Sequence, residues 1–224
     1  MPKATSRPKL LDLCCCQGGA SMGYHLAGFD VVGVDIDPQP RYPFTFFQAD
    51  ALEVLADTSF VSQFDAIHAS FPCQAFLSGT LAPARHVPDL VTPGRLLLGA
   101  TGLPWIMENV MSAPLHKNRS VVLCGSMFGL RTYRHRRFES APNLVITAPE
   151  HPKHTVRTAH KNRRAAWDAG LHASITGDTG TYMGPEAMGI DWMTGNGLSE
   201  VIPPAYAEHV GRQLITHVVE ERAA

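Results

Sequence analysis

KLLDLCCCQGGASMGYHLAGFDVVGVD, residues 9–35, decides the fold class. Its first residues form a short apolar run closing on Asp12-Leu13-Cys14. Gly18-Gly19 follow, then a stretch to Gly28 with Met22 and Leu26 four positions apart, then a second apolar run, Phe29 to Asp35, ending in an acid. Apolar residues at i, i+4 mark one face of a helix, whereas short apolar runs between turn signals mark buried strands, so this segment predicts strand, glycine turn, helix and strand. The same grammar repeats outward. Phe44 to Gln48, rich in aromatics, ends before Asp50, and Phe64 to Ser70 and Pro104 to Glu108 are two more strands. Between these last two, Thr92 is read as an N-cap with Pro93 at N1, a helix running through Leu96-Leu97-Leu98, and Gly102 as its stop. Strands alternating with helices predict an α/β fold, a doubly wound, mostly parallel sheet. Ligands of such sheets bind beyond the carboxyl ends of the strands, and Asp12, Asp35, Asp50, Cys73 and Glu108 all fall at or just past those ends.

The 224 residues, 45% hydrophobic and 17% charged with a net charge of -1, suit one well-cored domain and exclude disorder as the main description. No apolar run approaches the roughly 18 residues that span a bilayer, and residues 1–8 lead into a strand without a signal-peptide core, so a cytoplasmic protein with no membrane partner is expected. The five cysteines (Cys14, Cys15, Cys16, Cys73, Cys124) are odd in number with three adjacent, which suits a reducing compartment and no disulfide framework. Neither C-x-x-C nor H-E-x-x-H spacing occurs, so no metal is expected.

Net neutrality conceals an asymmetry. From Arg131 to Arg164 nine basic residues face two acids, a segment of +7 in a chain otherwise at -8, and His135, His151, His154 and His160 lie in the same stretch. Such one-sidedness points to nucleic acid, the alternative being a solvated charged face. The composition turns to Pro, Gly, His and basic residues after Phe138, and Pro203-Pro204 opens a closing helix in which Tyr206, Val210, Leu214 and Val218 recur every four residues. The predicted organisation is a cofactor-binding and catalytic domain over 1–140, a small basic insert over 141–200, and a C-terminal helix over 201–224 packing back on the first.

Three places carry chemistry. Asp12 through Gly19 sets glycines where backbone must approach a ligand at a helix N-terminus, and Asp35 lies where an acid can hold a ribose diol. The loop lacks G-x-G-x-x-G, so an adenosine-type ligand without pyrophosphate is expected; a tight turn packing helix on strand is the alternative. Pro72 stiffens the turn that offers Cys73 to the cleft as a nucleophile, the alternative being an inert buried thiol. Glu108 sits on an otherwise apolar strand, costly unless the acid is paired or functional.

With these residues in this order, the sequence resembles the DNA cytosine-5 methyltransferases. Asp12-Leu13-Cys14-Cys15-Cys16-Gln17-Gly18-Gly19 is similar to the family's D-L-F-x-G-x-G-G loop, with Cys14 and Cys16 where the family has an aromatic and a glycine. Pro72-Cys73-Gln74 matches its P-C-Q, Glu108-Asn109-Val110 its E-N-V, and Arg134-His135-Arg136-Arg137-Phe138 resembles its Q-x-R-x-R strand; the likeness covers about residues 9 to 140. The compact size resembles the small phage-encoded members. The resemblance implies a class I S-adenosylmethionine-dependent, Rossmann-like methyltransferase that acts on cytosine in DNA, as in restriction-modification, within a bacterial or phage-infected host cell. It implies that Asp12, Cys14, Gly18, Gly19, Asp35, Ile36, Asp50, Ala51 and Pro72 hold the cofactor. Cys73 is then the nucleophile on carbon 6 of a flipped-out cytosine, Glu108 the acid at its N3/N4 edge, and Arg137 the group on its O2, the alignment that sets Phe138 on the following apolar position, whereas a one-residue slip selects Arg136. Arg134, Arg136, Arg157, Lys161, Arg163 and Arg164 are expected on DNA.

Three alternatives stay open. The same Cys73 and Glu108 can serve free nucleotides, RNA or a modified donor. A catalytically inactive, cofactor-sensing DNA-binding module has no need of either residue. A nicotinamide-dependent oxidoreductase accounts only for the first fifty residues. The sequence leaves the oligomeric state open.

Overall fold

A computed structural model describes residues 6–78, 87–159, 164–175 and 180–223. In chain order the first part runs β1 (Lys9–Leu13), α1 (Gly19–Ala27), β2 (Asp30–Asp35), β3 (Thr45–Gln48), α2 (Ala51–Ala56), α3 (Thr58–Val61), β4 (Ala66–Ala69), α4 (Val91–Ala100), β5 (Trp105–Asn109), β6 (Ser120–Leu123) and β7 (Arg136–Ser140). Then come β8 (Thr158–Ala159), α5 (Arg164–Asp168), β9 (His172–Ala173), α6 (Gly180–Met188), α7 (Gly195–Glu200) and α8 (Pro204–Ala223). Seven strands form one sheet in the order β3-β2-β1-β4-β5-β7-β6. β1 to β5 pair in parallel, while β7 inserts antiparallel to both β5 and β6. The expected doubly wound, mostly parallel sheet is therefore present, with its switch point between β1 and β4, where strand order reverses and ligands characteristically bind.

The central strands are mostly apolar because helices cover both faces: Leu10, Leu11, Leu13, Ala66, Ile67, Ala69, Ile106 and Met107 are fully buried. In α1 the Met22/Leu26 pair marks the wrong face. The helix buries Gly19, Ala20, Ser21, Gly23, Tyr24 and Ala27, and leaves Leu26 exposed. Small residues let α8 approach closely, and α8 buries the expected Tyr206, Val210, Leu214 and Val218. The start of α4 also differs from expectation. Its cap is the Asp89 carboxylate, which accepts from Val91 N (2.8 Å) and Thr92 N (3.2 Å), so Thr92 lies inside the helix; Gly102, at φ 72°, follows its end.

β7 is anchored by Glu139, which is fully buried and bound by Arg95 (2.9 Å), Arg119 (3.1 Å) and the backbone N–H of His116 (2.8 Å). Beyond β7 the chain adds Leu144 and Ile146 to the main core before building a second, smaller core from Trp167, Ile175, Met183, Met188, Ile190 and Leu198. Among the described residues no helix is long and apolar enough to cross a membrane.

Candidate active site

A cavity of about 660 Å3 opens at the carboxyl ends of the parallel strands, a volume within the ordinary range for small-ligand sites. Asp12, Cys14, Gly19, Asp35, Ile36, Asp50 and Ala51 line one side, and Pro72, Cys73, Glu108, Arg134 and Arg136 the other. The residues expected to hold an adenosine-type ligand and those expected to carry the chemistry thus share one chamber.

On the first side the loop after β1 takes a left-handed backbone at Cys14 (φ 57°), Cys16 (φ 46°) and Gly18 (φ 85°). Cys16 holds that conformation despite its side chain, with its N–H bonded to Asp35 Oδ2 at 2.9 Å. Asp35 Oδ1 accepts from Asp37 N, so the second acid is fixed by the loop and by its own turn. Asp50 caps α2, accepting from Leu52 N and Glu53 N through Oδ1. Ile36 stands exposed beside these acids and offers an apolar surface. Asp12 is fully buried: Ser21 Oγ donates to Oδ2, while Oδ1 has no partner among the described residues. Desolvation pushes its carboxyl up to about 7.

Gly18 does not line the cavity, contrary to its assignment as a cofactor residue. It serves the turn, where its φ disfavours a side chain and a Cβ would meet Pro43 and Tyr42 at 2.8–3.0 Å.

On the second side, Cys73 closes the turn after β4 as the cap of a short 3-10 segment, Gln74–Phe76. The turn is held from beneath, because Asn109 Nδ2 donates to Phe71 O at 2.8 Å and the Phe71 ring is buried under α4. Glu108, buried on β5, pairs with Arg136 Nε at 3.2 Å, and burial outweighs that cation to push its carboxyl up to about 7. Glu108 Oε1 has no aligned hydrogen bond among the described residues. Burial likewise raises the Cys73 thiol; Arg136 opposes this, and a charged Glu108 adds to it.

Strand parity corrects the choice of arginine. Side chains alternate along β7, so Arg136 shares a face with Phe138, which lies directly opposite Glu108, whereas Arg137 shares the other face with Glu139 and donates to Ser120 Oγ at 3.1 Å. Arg137 lies outside the cavity and Arg136 inside it. Arg134, expected on DNA, instead donates to the carbonyls of Val201 (2.8 Å), Ile175 (3.1 Å) and Ser199 (2.8 Å). It ties the smaller lobe to β7, and desolvation lowers its guanidinium to about 9. Arg131 is also used internally, 3.4 Å above the Trp167 ring. Arg157 and Arg164 are exposed, Arg164 with Asp168 at 3.6 Å; Lys161 and Arg163 lie outside the described residues.

Sequence reasoning missed a buried relay beneath Glu108. Tyr24 Oη lies 2.9 Å from His68 Nδ1, His68 Nε2 lies 2.7 Å from Ser70 Oγ, and the Ser70 hydroxyl holds the Glu108 carboxyl down against its burial. Burial holds His68 neutral, its imidazole pushed down to about 3. The one signal was a histidine in the middle of an apolar strand, and such residues commonly pair inside a core.

No family model and no curated protein matches this chain. Solved structures do. A prophage Cp protein of E. coli, named for DNA modification methyltransferase activity, superposes with a TM-score of 0.63 at 16% identity, covering 95% of this chain and 99% of that one. A Spodoptera frugiperda DNMT2 variant gives 0.57 at 13% identity, covering 92% and 99%. S. pombe Dnmt2 methyltransferase gives 0.54 at 12%, covering 97% and 100%. The likeness spans nearly the whole of each chain and establishes a shared methyltransferase-type fold, the small lobe included in the overlap.

Proposed function

We propose that the protein is an S-adenosylmethionine-dependent methyltransferase acting on carbon 5 of cytosine in DNA, with Cys73 as its covalent nucleophile. The observation that carries the reading is the meeting of a turn-presented thiol, a buried carboxyl near neutrality and its paired arginine in the same cavity as three strand-end acids.

The acid-lined side suits the cofactor. Asp35 offers carboxylate acceptors for ribose hydroxyls, Asp50 a carboxylate acceptor for an adenine amino group, Ile36 an apolar face for the purine, and the orphaned Oδ1 of Asp12 favours a cation. When bound there, S-adenosylmethionine supplies an electrophilic methyl group on a sulfonium.

On the other side, Cys73 attacks carbon 6 as thiolate, forming the C–S bond and moving the ring electrons toward carbon 5 and N3. Glu108, whose carboxyl burial pushes up to about 7, donates its proton to N3 as electron density builds there and takes that proton back when Cys73 leaves. Protonation of Glu108 also removes the negative charge that raises the Cys73 thiol, leaving Arg136 to stabilise the thiolate. Arg136 holds the cytosine O2. Carbon 5 takes the methyl, its proton is lost to a base, and the electron pair expels Cys73. The exposed Arg157, with Lys161, Arg163 and Arg164, meets phosphates, and residues 141–200 form the target-facing lobe.

The test is mass spectrometry of nucleosides from DNA and RNA incubated with the protein and S-adenosylmethionine, together with trapping on 5-fluorodeoxycytidine DNA. Fluorine cannot leave as a cation, so a denaturation-resistant adduct is expected with the native chain and none with Cys73→Ser. Full methylation of ordinary DNA by Cys73→Ser refutes the covalent route; 5-methylcytidine in RNA alone refutes the DNA substrate.

A further inference from the structure

Away from the cavity, where the turn after β6 meets the start of β7 and the loop beyond it, four metal-ligating side chains converge. Cys124 Sγ and one ring nitrogen each of His135, His151 and His154 all lie within 4.8 Å of one another. Cys124 Sγ is 3.3 Å from His154 Nε2, and His135 Nε2 is 3.2 Å from His151 Nε2. Around zinc, bond lengths of about 2.0–2.1 Å to nitrogen and 2.3 Å to sulfur give tetrahedral edges of roughly 3.3–3.6 Å, close to both separations. Three imidazoles turned nitrogen-first toward one thiol repel one another when protonated, whereas a divalent cation uses all four lone pairs at once.

The surroundings are those of a supported site. Ser126 Oγ lies 3.1 Å from Cys124 Sγ and can donate to a thiolate. The Tyr133 ring stacks on His154 with centroids 3.6 Å apart, and its hydroxyl donates to Val156 O and accepts from Val156 N, fixing the loop that carries His154. Cys124 is buried, His135 half-buried, and His151 and His154 close the outer side.

We propose that Cys124, His135, His151 and His154 bind one Zn2+ in a closed, structural, tetrahedral site. Binding releases the thiol proton of Cys124 and uses the three histidines neutral, leaving the site with a net charge of +1. Four protein ligands leave no position for water, so the ion is a staple and not a Lewis acid for substrate. It joins the loop after β7 to the strand that carries Arg136, which gives the His-rich segment a role that charge alone did not suggest. The ligands are spread over separate turns in a spacing that matches no zinc motif, so the sequence shows no metal signature.

The experiment uses the full chain without a histidine tag. Metal analysis of the purified protein should find about one zinc per chain. After chelation, Co2+ titration should give thiolate-to-cobalt charge transfer in the near ultraviolet and the intense visible bands of tetrahedral cobalt, both displaced by zinc. Cys124→Ser should lose the charge-transfer band and bind zinc at least about tenfold more weakly, and His151→Ala, at an exposed position where folding is safe, should weaken binding as much. Substoichiometric zinc with a pale, octahedral cobalt spectrum overturns the proposal, as does cobalt binding that His151→Ala leaves unchanged.

Discussion

Replacing Arg136 by alanine separates the two adjacent arginines of β7 and tests the electrostatics of the site. Glu108 titrates at about 7 in the folded protein against an ordinary value of 4.5. A carboxyl whose folded pKa is raised is harder to ionise in the native state, so the fold loses stability as pH rises from the unfolded value to the folded one. The interval between those two values amounts to roughly 3 kcal/mol. Arg136 is the principal influence holding Glu108 down, so in Arg136→Ala the folded pKa climbs above 7 and the loss continues into alkaline pH. Native and variant should therefore differ little in the carboxyl's contribution at pH 6, where Glu108 is protonated in both. Above pH 7 the gap should widen by about 1.4 kcal/mol per pH unit until the variant's own pKa is reached. Arg137→Ala loses a single hydrogen bond to Ser120, a loss of about 1 kcal/mol that does not depend on pH over this range. Denaturant unfolding of the three proteins at pH 6, 7, 8 and 8.5 reads these differences directly. In methyl transfer, Arg136→Ala should lower kcat/KM by about 10- to 100-fold, the value of a charged hydrogen bond to the base, with Arg137→Ala close to native. A stability gap for Arg136→Ala that does not grow with pH, or an activity loss larger in Arg137→Ala, refutes the reasoning.

Gly23→Ala should destabilise the protein by about 1–3 kcal/mol, read as a lowered Tm. The added Cβ would stand 2.2 Å from Pro204 O and 2.6 Å from Glu208 N, forcing the backbone of α8 away from α1; an unchanged or raised Tm contradicts that packing. Neutralising Arg157, Lys161, Arg163 and Arg164 to glutamine should weaken DNA binding alike on all sequences and flatten log K against log salt by roughly 0.9 per lost phosphate contact. An unchanged slope makes the cluster a solvated face.

By itself the sequence determined the parallel half of the sheet and the placement of acids and thiol along one rim. Those signals are local: short apolar runs bounded by polar and turn residues set β1 to β5, and strand order carries Asp12, Asp35, Asp50, Cys73 and Glu108 to the same edge whatever the detailed packing. Periodicity also placed the buried face of α8, because a long helix against a core repeats its contacts every turn. It failed in α1, where close approach to α8 selects small residues and leaves the larger Leu26 outside.

Tertiary structure decided what depends on parity and on distant partners. Arg134, Arg136 and Arg137 look equivalent in a basic run. Their roles diverge because alternation along β7 sends Arg136 to Glu108 and Arg137 to Ser120, while the carbonyls of Val201, Ile175 and Ser199 arrive from the small lobe to bind Arg134. The relay from Tyr24 through His68 and Ser70 to Glu108, and the gathering of Cys124 with three histidines, likewise join residues far apart in the chain. A hydrogen bond or a metal-ligand angle is set by separations of a few ångströms, and only the folded chain sets those distances.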